Sequence, residues 1–142
     1  MPINMLIVDD SSSMRLVLKK TISAAGINVG NYYEAADGFE ALEILRKEWL
    51  DVVLLDYNMP GMDGMELLKK MQNDEILKTI PVIVTSVEGS KERILEFLKN
   101  GASDYIKKPF TPEETRDKLY QLLEGEIDGE RCAPGSNEEL DF

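Results

Sequence analysis

The sequence predicts an α/β protein: a doubly wound, five-stranded parallel sheet with five helices. Three observations carry that prediction. Stretches of strand length, three of them short apolar runs, recur five times, and each is followed by a stretch with apolar residues at helical spacing. The linkers between them are short, which favours parallel strands, right-handed crossovers and helices on both faces. The run Val52 to Leu55 shows no polar alternation, as expected of a strand buried on both faces.

Taken in order, Ile3 to Val8 is the first strand and ends on Asp9-Asp10. Ser11-Ser12-Ser13 supply N-cap candidates for a helix carrying Met14, Leu18, Ile22 and Ala25, with Gly26 as its stop. Val29 to Ala35 is a second strand, and Asp37-Gly38 opens a helix expected to bury Phe39, Leu42 and Leu45. The third strand ends on Asp56, and Pro60-Gly61 marks a loop. Asp63 is an N-cap candidate for a helix carrying Met65, Leu68 and Met71. Ile80 to Thr85 is the fourth strand, with Pro81 at its entry, where a missing donor is tolerated. Ser90 is placed to cap a helix with Ile94, Phe97 and Leu98, closed by Asn100-Gly101. Asp104 to Lys107 is the fifth strand. Thr111-Pro112-Glu113-Glu114 is a capping box that starts a last helix through about Leu123.

After Glu124 the composition changes. Residues 125–142 hold three glycines and a proline, with six acids against one base, so the expected organisation is one domain at 1–124 and an acidic, mostly disordered tail at 125–142.

Composition removes several function classes. A formal net charge of -11 argues against an electrostatic role on nucleic acid or an anionic membrane. The absence of histidine removes histidine metal sites, Ser-His-Asp and Cys-His nucleophiles, and phosphohistidine chemistry on this chain. A single cysteine, Cys132, allows no internal disulfide and fits a reducing compartment. With no basic leader and no apolar stretch of spanning length, the expectation is a soluble cytoplasmic protein.

The residues that carry chemistry collect at strand ends. In one common doubly wound order, 2-1-3-4-5, strands one and three are neighbours at the topological switch point. Asp9, Asp10 and Asp56 then converge on one crevice. Carboxylates about 4 Å apart repel by roughly 4 kcal/mol at an effective dielectric near 20, so the site calls for a proton or a cation. Carboxylate oxygens with open water positions suit Mg²⁺, which shares phosphate oxygens readily. Strand four adds Thr85-Ser86, and strand five leads to Lys107-Lys108. A nucleophilic carboxylate, a divalent ion, a hydroxyl and an ammonium are the parts that make and hold an acyl phosphate. Each has a plainer reading alone: Asp9-Asp10 as a helix cap, Ser86 as a strand-end hydroxyl, Lys108 as a solvated charge, Tyr105 as a core-edge ring. Their coincidence at the carboxyl ends of strands one, three, four and five favours a shared site.

Four segments together resemble the receiver domain of two-component response regulators. They are Leu6 to Asp10, Leu54 to Gly64, Pro81 to Ser86, and Gly101 to Phe110, within residues 3 to 124. Ser12-Ser13-Met14-Arg15 and the lack of a second domain are most similar to the single-domain, CheY-like chemotaxis regulators. The resemblance, rather than the residues, supplies the flavodoxin-like strand order. It implies that Asp56 accepts a phosphoryl group from a sensor histidine kinase. It implies that Asp10, Asp56 and the Asn58 carbonyl hold Mg²⁺ with help from Asp9, and that Ser86 and Lys108 bind phosphoryl oxygens. Tyr105 would be the aromatic that turns inward as Ser86 moves, and Ile94, Leu95 and Tyr105 would belong to the partner-binding face. The implied partners are the kinase, an output target such as a flagellar motor component, and a phosphatase. The domain would catalyse only its own phosphorylation and dephosphorylation and would not be an enzyme in the usual sense.

Two positions depart from the family pattern. Ser86 stands where threonine is most frequent. Val87 stands where alanine or glycine is usual, and its bulk is expected to crowd the approach to Asp56. Three other readings compete: a phosphorelay intermediate, a metal-dependent phosphatase, and a degenerate receiver used as a scaffold. The full set Asp9, Asp10, Asp56, Ser86 and Lys108 counts against the scaffold. The absence of a cap domain counts against the phosphatase.

Overall fold

A computed structural model describes residues 2–56, 64–86, 91–108 and 110–127. The elements are β1 (Ile3–Val8), α1 (Ser12–Ala24), β2 (Val29–Ala35), α2 (Gly38–Lys47), β3 (Val52–Asp56), α3 (Gly64–Gln72), β4 (Val82–Ser86), α4 (Lys91–Lys99), β5 (Asp104–Lys107) and α5 (Pro112–Ile127). A 3-10 turn at Leu77–Thr79 precedes β4. The strands are parallel in the order β2-β1-β3-β4-β5.

The order explains the strand compositions. β3 and β4 lie inside the sheet under helices on both faces, and every residue of each is buried. The edge strands β2 and β5 carry the polar and aromatic residues, with only Ala35 and Ile106 fully buried. One face of the sheet packs with α2, α3 and α4 through Ala41, Leu42, Leu67, Leu68, Met71 and Phe97. The other packs with α1 and α5 through Leu18, Ile22 and Leu119.

Local chemistry starts the helices as expected. The Ser11 hydroxyl accepts the Met14 N–H at 3.1 Å. The Asp37 carboxylate accepts the Glu40 N–H at 2.9 Å, and the Glu40 side chain accepts the Ala36 N–H. The Thr111 hydroxyl accepts the Glu114 N–H ahead of α5. Pro81 lies just before β4, and its carbonyl still accepts the Val53 N–H at 3.0 Å. Arg15 and Lys19 both donate to Glu34, tying α1 to β2. Those two hydrogen bonds hold the Glu34 carboxyl below its ordinary value. Its stabilisation is therefore present above the unfolded-state pKa and lost as pH falls through the folded one.

Two expectations change. Phe39 does not face the core: it is 63% exposed, and α2 buries Gly38, Ala41, Leu42 and Leu45 instead. Positions 38, 41, 42 and 45 form one stripe at helical period, and 39 lies off that stripe. The last helix does not stop near Leu123 but runs to Ile127. One interior glycine costs a helix only about 1 kcal/mol relative to alanine, and Glu124 and Glu126 flank Gly125 as good helix formers. Of the tail expected at 125–142, residues 128–142 lie outside the described residues, as do the caps expected at Asp63 and Ser90.

Gly26 follows the α1 terminus with φ +83° and open space where a Cβ would stand. Its requirement is thus for backbone conformation alone. Gly26→Ala should lower stability by about 1 kcal/mol, the left-handed penalty of an L-residue. Urea unfolding with an unchanged midpoint would contradict it.

Candidate functional site: a carboxylate cluster at the strand ends

The register sets the site. Val8 pairs with Leu55, Asp56 with Thr85, and Ser86 with Lys107. The residues that follow or end each strand therefore meet at one edge. Asp9 leaves β1 with its N–H donated to the Ala35 carbonyl at 3.0 Å. Its Oδ1 accepts the Ser11 N–H at 2.9 Å, so the turn that caps α1 also orients the carboxylate. Arg15 donates to the Asp9 carbonyl from the first turns of α1.

Asp9 is 1% exposed and Asp56 5%, while Asp10 is exposed and opens the cluster to water. One carboxylate oxygen from each of the three lies within 4.8 Å of the others. The Lys108 backbone N–H donates to the Ser86 carbonyl at 2.8 Å, which fixes the lysine at the end of β4. Its Nζ stands 3.4 Å from Asp9 Oδ2 and 3.6 Å from Asp56 Oδ1, with the side chain mostly buried. Three carboxylates against one ammonium leave a formal charge of minus two. That deficit and an all-oxygen donor set fit a hard divalent cation such as Mg²⁺.

Ser86 is buried as the last residue of β4. Strand alternation puts it on the same face as Val84, whose partner in the ladder is Tyr105. The Tyr105 ring is half-buried against the apolar cluster under α2, α3 and α4. Lys118 Nζ lies 4.3 Å from the centre of that ring and 2.9 Å from Asp104 Oδ1. On α4, Ile94 turns inward, whereas Leu95 is 49% exposed.

Asp9, Asp10, Asp56, Ser86 and Lys108 thus come to one sheet edge as expected, and Tyr105 lies one strand over. Asn58 and Val87 lie outside the described residues. Two contacts were not anticipated from the sequence: the Arg15 bond to the Asp9 carbonyl and the Lys118 contact with Tyr105. The first carries a local signal, a basic residue one turn into a helix that follows a strand-end acid. The second joins α5 to β5 across a loop and has none.

The chain has counterparts among known proteins in both sequence and fold. Residues 5–120 match the response regulator receiver domain family. The chain is 44% identical over 119 residues to chemotaxis protein CheY-3 of Vibrio cholerae, covering 84% of this chain and 90% of that one. It is 40% identical over 130 residues to a CheY homolog of Campylobacter jejuni, covering 91% and 98%. Among solved structures, Vibrio cholerae CheY4 superposes with a TM-score of 0.77 at 35% identity, over 87% of this chain and all of that one. A CheY-like receiver protein from Methanospirillum hungatei gives 0.78 at 26% identity, over 91% and 99%. A β2-β1-β3-β4-β5 sheet with aspartates and a lysine gathered at its carboxyl edge, and sequence identity of this extent to CheY proteins, place the chain in the response regulator receiver domain family.

Proposed function

We propose that this chain is a phosphorylation-switched regulator whose Asp56 accepts a phosphoryl group from the phosphohistidine of a sensor kinase, in a chemotaxis pathway of the cytoplasm. The supporting observation is the position of Lys108, whose ammonium bridges Asp9 and Asp56 at the sheet edge. An Asp56 carboxylate oxygen attacks phosphorus, the P–N bond to the donor imidazole breaks, and the imidazole nitrogen leaves with a proton from water. An aspartyl phosphate results.

The residues that would hold Mg²⁺ are Asp9, Asp10 and Asp56, with the Asn58 carbonyl, and the ion when bound would offset phosphoryl charge. Lys108, already beside Asp56, pairs with a phosphoryl oxygen in the product, which also relieves its hold on Asp9. The Ser86 hydroxyl donates to another. Movement of Ser86 toward the phosphoryl group empties space on the face it shares with Val84, and the Tyr105 ring is placed to enter it. The exposed face of α4, with Leu95 at its surface and Ile94 beneath, together with β5 and α5, is then the surface read by a target such as a flagellar motor component. A phosphatase would reset it. The phosphoryl group shifts this equilibrium only by interacting differently with the two states, so both exist before phosphorylation.

The test is incubation with acetyl phosphate, followed by intact mass and peptide mapping. One phosphoryl adduct on the peptide containing Asp56, formed with Mg²⁺ and suppressed by EDTA, is the expected result. An adduct elsewhere, or formation indifferent to EDTA, would overturn the assignment.

A further inference from the structure

Helix α1 differs from the other four in charge. It carries Arg15, Lys19 and Lys20 and no acid, in a chain with 27 acids and a net charge of -11. Its outward stripe is Ser13, Leu16, Val17, Lys20, Ser23 and Ala24, all exposed. Leu16 is 50% exposed and Val17 46%. Single exposed apolar residues are ordinary on a protein surface. Two side by side, on an acid-free stripe of an acidic protein, form a surface suited to an acidic segment with apolar anchors.

The chain contains such a segment. Residues 128–142 hold five acids and one base, and the stretch Glu138-Glu139-Leu140-Asp141-Phe142 alternates acids with two large apolar side chains. We propose that residues 128–142 dock along the outer face of α1, with Leu140 and Phe142 against Leu16 and Val17 and the flanking carboxylates near Lys20.

Direction and reach permit this. α1 and α5 both return from the carboxyl edge of the sheet to its amino edge, and they pack against each other on one face. α5 therefore releases the chain beside the far end of α1. From there to Leu16 is about 12 Å along the helix axis and roughly one helix spacing of 10 Å across. Residues 128–140, extended, span about 43 Å.

Another apolar surface, around the exposed Trp49 and Ile76 at the amino edge of β3 and β4, suits this segment less well. Glu48 and Asp51 lie on its rim and would repel the incoming carboxylates. On α1, Arg15 and Lys19 are engaged by Glu34, and Lys20 remains exposed with no partner among the described residues. The docked segment would cover the helix whose Arg15 holds the Asp9 turn, and so compete with any partner that approaches the site over α1.

The experiment uses the full chain and its amide spectrum. In the variant Leu140→Ala/Phe142→Ala, the amide signals of Ser13, Leu16, Val17 and Lys20 should shift. High salt, which shortens the screening length to about 3 Å at 1 M, should shift them in the same direction. Dilution should leave them in place. The reciprocal variant Leu16→Ser/Val17→Ser, confined to exposed positions, should shift the signals of residues 138–142. Three results would overturn the proposal: α1 signals unmoved by the tail variant or by salt, shifts concentrated instead at Trp49 and Ile76, or shifts that depend on protein concentration and so report a second copy.

Discussion

Asp56→Asn is expected to accept no phosphoryl group from acetyl phosphate, while keeping its fold. The amide has the size of the carboxylate but neither its charge nor its nucleophilic oxygen pair. Asp56 is buried beside Asp9 in a cluster that already carries an excess of negative charge. Removing one carboxylate eases repulsion of about 3–4 kcal/mol per pair at an effective dielectric near 20. Stability should therefore hold or rise as labelling disappears, and the contrast separates a lost acceptor from a lost fold. Asp10→Asn provides the graded control. Asp10 is exposed at the mouth of the cluster, so its loss should weaken Mg²⁺-dependent labelling without abolishing it. Intact mass gives the labelling and urea unfolding gives the stability. Full labelling of Asp56→Asn would refute the acceptor assignment.

Lys108→Met should have the largest effect on stability. The methionine keeps the stem packed but removes the only ammonium within 4 Å of Asp9 and Asp56 among the described residues. Losing one partner of a fully buried pair costs about 3–5 kcal/mol, because the other charge stays buried and uncompensated. This cluster opens to water at Asp10, so about 2 kcal/mol is expected in the absence of divalent ions. A ligand that binds only the native state stabilises it by RT ln(1 + [L]/Kd). The more negative site of the variant should bind Mg²⁺ more tightly, so millimolar Mg²⁺ should stabilise Lys108→Met more than the parent protein. Equal urea midpoints for the two chains in EDTA would refute the electrostatic account of the cluster.

The sequence by itself determined what short-range physics decides. Uninterrupted apolar runs marked β1, β3 and β4, because strands inside a parallel sheet are buried on both faces. Ser11, Asp37 and Thr111 marked helix starts, because a side-chain oxygen three residues before an N–H can satisfy it without help from elsewhere in the chain. Asp9, Asp10, Asp56, Ser86 and Lys108 were legible as strand-end residues. That they form one site followed only with a strand order, and the order came from the likeness to receiver domains. Helical spacing also marked which residues share a stripe, but misplaced Phe39, since a single apolar residue beside a stripe looks the same in sequence whether it is buried or exposed.

Tertiary structure decided the long-range pairings. Lys108 meets Asp9 across 99 positions, and no local periodicity encodes such a distance. The contact exists because β5, β4, β3 and β1 align their carboxyl ends, so that residues ending or following those strands meet at one edge of the sheet. The same holds for Lys118 over Tyr105 and for the exposed, acid-free stripe of α1 beside the end of α5. Residue type and spacing set which groups are available and how each local segment folds. Register and strand order set which of those groups come within a few ångströms of one another, where Coulomb and hydrogen-bond energies become large enough to matter.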